Sequence, residues 1–220
     1  MTTHDLSQPL DAEGTTYPGD PAVSVTPHAT HERDGYRVSE LAMGSHGGTH
    51  VDAPSHLLPE GRDLDEFELS TFAFDAVRID CTDAGAREPI GRDAVAAAPT
   101  DADLLVVRTG WSEHWGTDRY LDHPYLSPDA AAWLAEREFH VGVDAPNVDP
   151  TPRQASTADR TDEPEGFPAH RALLGNDRVL VENLANLGAP PDRFELCAYP
   201  LPIPDADGAP ARAVARVDDR

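Results

Sequence analysis

Apolar residues in this chain come only in short runs, and that limits what it can build. Seven stretches, at 23–26, 36–43, 74–79, 104–108, 139–143, 179–182 and 194–200, are four to eight residues long and β-branched, aromatic or alternating in character. Runs of that length between Pro, Gly and polar punctuation predict strands. Helical patterns fall between them at 91–98, 127–136 and 170–174. In the second, Ser127-Pro128-Asp129 supplies an N-cap and a first-turn proline; the third follows Pro168 and stops at Gly175. Strands interleaved with helices predict an α/β protein. The 220 residues suit one domain over 1–220, and no repeat or low-complexity linker divides them. The 21 prolines and 16 glycines make much of the remainder ordered loop. The polar, proline-containing stretch 148–166 is long enough to be a lid or an exposed arm.

No run approaches the roughly 18 apolar residues that cross a bilayer. The N-terminal Met1-Thr-Thr-His-Asp-Leu-Ser lacks the basic-then-apolar order of a secretion signal, so a soluble cytoplasmic protein with no membrane partner is expected. Cys81 and Cys197 are too few for a disulfide framework and read as buried reduced thiols. The charge is more informative. Forty acidic residues face 17 basic ones, all of them arginine, for a net charge of −23. Such acidity excludes non-specific nucleic-acid binding, which needs a basic patch. Disorder is excluded by the 39% hydrophobic content. A folded protein adapted to concentrated salt fits, since the Debye length falls to about 3 Å at 1 M and carboxylate repulsion is screened; a merely acidic mesophilic protein is the alternative.

The chemistry is concentrated in His46-Gly-Gly-Thr-His-Val-Asp-Ala-Pro-Ser-His56. Zn²⁺ accepts neutral imidazole nitrogens and carboxylate oxygens that converge within about 2.0–2.2 Å. His46, His50 and Asp52 can converge because Gly47 and Gly48 let the backbone turn sharply. In an extended segment His50 and Asp52 project from one face, and Pro54 stiffens the exit that returns His56 to the same side. The other reading is a loop that happens to be rich in histidine; the density of the cluster and its carboxylate favour a metal site. Glu182 is a second clue, since a carboxylate closing the apolar run Val179-Leu-Val181 is buried, and burial without a partner is costly. His170, opening a helix, carries little signal alone.

The motif His46-x-Gly-Thr-His50-x-Asp52-x-Pro54-x-His56 resembles the signature of the metal-dependent cyclase-like hydrolases, among them the bacterial kynurenine formamidases. Leu57 stands where a Phe often follows in that family. Thr16-Tyr17-Pro18-Gly19-Asp20 resembles the family's substrate mouth, with Tyr17 in place of the usual Trp, and Arg108-Thr-Gly-Trp111 with Trp115 and Gly142-Val-Asp-Ala-Pro146 with Asp149 resemble further landmarks. The resemblance implies a compact β/β/α domain of the swivelling type, assembled as a homodimer or larger. It also implies a two-metal centre in which His46 and His50 hold one cation, His170 holds the other, and Asp52 and Glu182 bridge them. Bridging carboxylates are what two mutually repelling dications need.

Amide hydrolysis also requires a proton for the departing nitrogen. The resemblance gives that acid/base role to His56; a third metal ligand is the alternative. Tyr17, Trp111 and Trp115 are candidate walls against a flat substrate, or simply core aromatics. Asp144 and Asp149 either support ligand histidines or cap loops. The expected activity is metal-dependent hydrolysis of a small aryl amide, N-formylkynurenine first and a cyclic amide such as isatin second. A non-enzymatic metal-binding or regulatory protein is the competing class, against which the complete ligand set argues. Zn²⁺ is the expected cofactor and Mn²⁺ the alternative, because nitrogen and oxygen donors suit both.

Overall fold

The computed structural model describes residues 1–152 and 163–218. In chain order its strands are β1 (Thr2–Asp5), β2 (Ser24–Ala29), β3 (Val38–Ala42), β4 (His50–Asp52), β5 (Ala73–Asp80), β6 (Pro89–Ile90), β7 (Leu104–Arg108), β8 (Tyr125–Leu126), β9 (His140–Val143), β10 (Leu180–Glu182), β11 (Arg193–Cys197), β12 (Gly208–Pro210) and β13 (Val214–Val217). The α-helices are α1 (His31–Asp34), α2 (Arg92–Val95), α3 (Pro128–Glu136) and α4 (Pro168–Leu174). All seven expected strands form, with ends shifted by a few residues. The helix expected over 91–98 shrinks to the single turn of α2.

Nine strands make one mixed sheet in the order β1-β13-β11-β5-β7-β9-β10-β4-β12. Its centre, β5-β7-β9-β10, is parallel, and the strands to either side pair antiparallel. Alternate residues of β7 enter opposite cores. Leu105 and Val107 join a cluster with Trp133 and Leu134 of α3 and Leu173 of α4, whereas Leu104 and Val106 join a second cluster with Val51, Val181 and Leu196. That double burial is why the run at 104–107 is continuously apolar rather than alternating. Helix α3 starts as its sequence dictates: Ser127 Oγ accepts from the Ala130 amide at 3.4 Å and Pro128 occupies the first turn.

The sheet curls. Strand β12 lies on one edge and β13 beside the other, yet only Ala211, Arg212 and Ala213 join them. Three residues reach about 10 Å, so the two edges must approach each other. Backbone bonds from Leu6 N–H to Ala213 O (2.9 Å) and from Ala211 N–H to Thr49 O (3.0 Å) tie the seam. The second apolar cluster fills the inside of the curl, and α3 and α4 cover the outside. The hairpin β2–β3 stands off this body with nearly every residue exposed. Among the described residues no helix is long and apolar enough to cross a membrane. Both cysteines are free; Cys197 is buried as expected but Cys81 is only partly so. Of the proposed lid at 148–166, residues 153–162 lie outside the described residues.

Candidate metal centre

The site is assembled on the β4–β10 pair. Antiparallel register sets Glu182 opposite His50 and Leu180 opposite Asp52, so His50, Asp52 and Glu182 share one face. His46 lies in the turn before β4, where Gly48 takes φ +68 and a Cβ would stand 2.4 Å from Leu10 Cδ2. Asn183, itself at φ 56, clamps that turn. Its Nδ2 donates to Gly48 O at 2.9 Å, its backbone oxygen accepts from Thr49 Oγ1 at 2.6 Å, and its Oδ1 accepts from Tyr120 OH at 2.9 Å.

His170 arrives from the first turn of α4. The Asp149 carboxylate accepts from the amides of Ala169 and His170, both at 2.9 Å, and from His170 Nδ1 at 2.8 Å. Asp149 therefore both caps the helix and fixes the ring. His170 Nε2 then points at Glu182 Oε1 (3.4 Å) and Asp52 Oδ2 (3.7 Å). Asp144 has the other role foreseen for it: it accepts from Thr109 N, Thr109 Oγ1 and Gly110 N and holds that turn, touching no histidine.

Among the described residues three candidate ligand sets result: His46-His50-Asp52, Asp52-His170-Glu182 and His46-His56-Asp207. The first two share Asp52. Its Oδ1 lies 2.8 Å from His46 Nδ1 and 3.1 Å from His50 Nε2, and its buried Oδ2 has no hydrogen-bond partner among the described residues. His50 Nδ1 donates to Gly48 O at 2.8 Å, which leaves the lone pair on Nε2 facing a carboxylate oxygen. His170 is in the same position, with Nδ1–H committed to Asp149. Lone pairs facing lone pairs inside a buried site are stable only with positive charge between them. The donor set thus fits divalent metal, with Asp52 shared by two ligand sets and Glu182 lying 3.4 Å from His170 Nε2 and 3.7 Å from His50 Nε2.

The electrostatics agree. Burial opposes ionisation of Asp52, but His50 and His46 outweigh it and hold the carboxyl well below the usual range. Burial, with the neighbouring Asp52 charge, pushes Glu182 up. Burial disfavours a charged His46, yet Asp52 and Asp207 overcome it and raise its pKa to about 10. These are the marks of a cluster whose negative charge exceeds what its own side chains neutralise.

A cavity of about 240 Å³ opens beside the cluster, bordered by Tyr17, Leu57, Asn147 and Phe167 as well as the ligand candidates. His56, on the 3-10 turn Pro54–His56, borders it too, with its ring centre 4.1 Å from that of His46 and 6.1 Å from that of His170. Tyr17 borders the cavity, and its buried hydroxyl has no hydrogen-bond partner among the described residues. Trp111 and Trp115 are not there. Trp111 is buried, donating Nε1 to Arg119 O at 3.2 Å, and Trp115 packs edge-on against Tyr120 at 5.2 Å. Trp111 belongs to the core and Trp115 packs against it, and the second aromatic ring bordering the cavity is Phe167, at φ 58 just before α4.

Phe167, Asn183 and Asp207 escape notice in the sequence. Only Asn183 left a trace, in its place next to Glu182.

A curled mixed sheet that gathers three imidazoles and two buried carboxylates around a cavity defines a metal-dependent hydrolase. A family model described as putative cyclase matches residues 4–150. A kynurenine formamidase of Bacillus thuringiensis (strain Al Hakam) is 33% identical over 216 residues, 96% of each chain. That of Salinibacter ruber (strain DSM 13855 / M31) is 34% identical over 221 residues, 98% of each. The crystal structure of an isatin hydrolase bound to the product analogue thioisatinate superposes with a TM-score of 0.85 at 23% identity, covering 99% of this chain and 92% of the other. The chain belongs to the cyclase family and is a metal-dependent hydrolase of amide bonds.

Proposed function

We propose that the protein is an arylformamidase that converts N-formylkynurenine to kynurenine and formate. The observation that carries this reading is the pair of buried ligand sets sharing Asp52, set against a cavity walled by two aromatic rings. The kynurenine formamidases aligned over nearly the whole chain support the choice of substrate. His46, His50 and Asp52 would hold one cation, and His170 with Asp52 and Glu182 the second. Zn²⁺ is the first choice for this mixture of donors and Mn²⁺ the second. When bound, the cations supply Lewis acidity and a nucleophile ionised near neutral pH.

The protein's own side chains do the rest. His56 stands beside the ligand sets and delivers the proton that the departing aryl nitrogen needs as the C–N bond breaks. Tyr17 and Phe167 take the aryl ring between them, a stacking contribution of roughly 0.5–1.5 kcal/mol per contact. Burial, then the charges of Glu182, Asp20 and Asp149, push the Tyr17 hydroxyl up, so it stays protonated and donates to a polar substituent. We further propose a soluble cytoplasmic homodimer or larger assembly working in concentrated salt.

A cyclic amide such as isatin is the second reading, favoured by the likeness to an isatin hydrolase. One experiment separates the two: kcat/KM for N-formylkynurenine and for isatin, measured on one preparation in high salt. The formamide should be preferred, and Tyr17→Ala should raise KM more than it lowers kcat. A tenfold or greater preference for isatin overturns the arylformamidase assignment.

A further inference from the structure

We propose that Asp207 is a positioning residue that sets the tautomers of both the ligand His46 and the proton-transferring His56 through a single carboxylate oxygen. The inference rests on the roles given to those two histidines above. Asp207 Oδ2 lies 3.0 Å from His46 Nε2 and 3.2 Å from His56 Nδ1, and Oδ1 accepts from Ser45 Oγ at 3.3 Å.

The placement is built into the sheet. Asp207 directly precedes β12, whose Gly208 pairs with Asp52 on β4, and its backbone oxygen accepts from Ala53 N at 2.9 Å. The edge strand can come this close to the His46 ring only because residue 208 is glycine: a Cβ there would stand 2.4 Å from His46 Cε1. An ionised carboxylate is an acceptor only.

An acceptor at these two nitrogens fixes where each ring keeps its hydrogen. His46 must carry N–H at Nε2, so its Nδ1 lone pair is left for the cluster at Asp52. His56 must carry N–H at Nδ1, so Nε2 is the nitrogen free to exchange protons with a substrate in the cavity. Carboxylates that orient metal-bound or catalytic imidazoles in this manner typically influence both metal affinity and rate. Asp207 does so for both histidines at once, linking the ligand set to the acid/base from 151 residues beyond His56. The competing assignment is that His46, His56 and Asp207 themselves chelate a cation. It would require a lone pair at His46 Nε2, which a neutral ring cannot offer while Nδ1 faces Asp52 as a ligand.

The test uses full-length Asp207→Ala and Asp207→Asn beside the unaltered protein. Three readouts are taken: ring ¹⁵N chemical shifts of His46 and His56 in Zn²⁺-saturated protein, where a ligand ring cannot carry a proton on both nitrogens, metal stoichiometry and affinity, and kcat and KM at saturating metal. We expect the fixed Nδ1–H form of His56 to give way to a tautomer mixture in Asp207→Ala, and metal affinity to fall about 10- to 100-fold at unchanged stoichiometry. With metal saturating, kcat should fall about 10²-fold while KM changes little. Asp207→Asn, close to the natural side chain in shape, should fold and show the same signs of change. An unaltered His56 tautomer together with unaltered kcat overturns the proposal. So does loss of one bound metal per chain, which would make Asp207 a ligand. If the unaltered protein hydrolyses no amide, the functional reading fails, and the tautomer and affinity measurements still decide the role of Asp207.

Discussion

A neutral imidazole offers a lone pair from one nitrogen only, and at this site each ring's second nitrogen is already assigned. His50 gives its Nδ1–H to Gly48 O and His170 gives its own to Asp149. His56 differs from them because its Nδ1 faces Asp207 at the edge, outside both ligand sets that share Asp52. His56→Ala should therefore keep its metal while kcat falls by about 10²–10⁴-fold. Elemental analysis beside the rate decides this, and lost metal would move His56 among the ligands. The local cluster from His46 to His56 was legible in the sequence because its members are separated by a turn's worth of glycine and one short strand. Asp207 was not, since its partners lie 151 and 161 residues away and a single Asp before a Gly is common in loops. Trp111 and Trp115 read either way in the sequence: tryptophan marks cores as readily as binding walls, and only packing tells which.

Strands β4 and β10 position the centre, and the elements around them hold the partly buried His140 and the fully buried His123, which must remain neutral. In β9, His140 Nδ1 accepts the Val179 amide at 2.9 Å just before β10 begins, and burial then Arg178 lower its pKa to about 4. His123, fully buried between Pro124 O and Thr151 Oγ1, is likewise lowered to about 4 by burial. Both titrate near 6.5 when the chain is unfolded, so between those values the unfolded state binds the extra protons. Their contribution is intact above about pH 6.5 and is lost as pH falls toward 4, roughly 3 kcal/mol for His123 alone. Melting temperatures should fall over that window, and His123→Asn should flatten the fall; an unchanged slope would show that His123 does not drive it. At this scale the sequence was most informative in the sheet's centre, where β5, β7, β9, β10 and β11 bury apolar runs. Strands β12 and β13 escaped notice because Gly208-Ala-Pro210 and Val214-Ala-Arg-Val217 are too short to show a period, and their strand state depends on the curl that brings the edges together.

The whole molecule carries −23 on 220 residues. Several of its surface arginines pair with local carboxylates, such as Arg193 with Asp75 and Asp101 and Arg212 with Asp5. Exposed pairs of this kind contribute little each, so the surplus acid is balanced by salt rather than by the protein. The melting temperature should rise steeply between 0.1 and about 2 M KCl as repulsion is screened; a flat response would remove salt adaptation as the explanation for the missing lysine. The central claim is that the shared Asp52 cluster works by holding divalent cations. Its most direct measurement is amide hydrolysis by protein stripped with a chelator, assayed for metal content, and then titrated with Zn²⁺ or Mn²⁺. Activity should vanish with the metal, return as the sites refill, and fail to return in Asp52→Ala. Full activity in protein shown by elemental analysis to be metal-free would contradict the account.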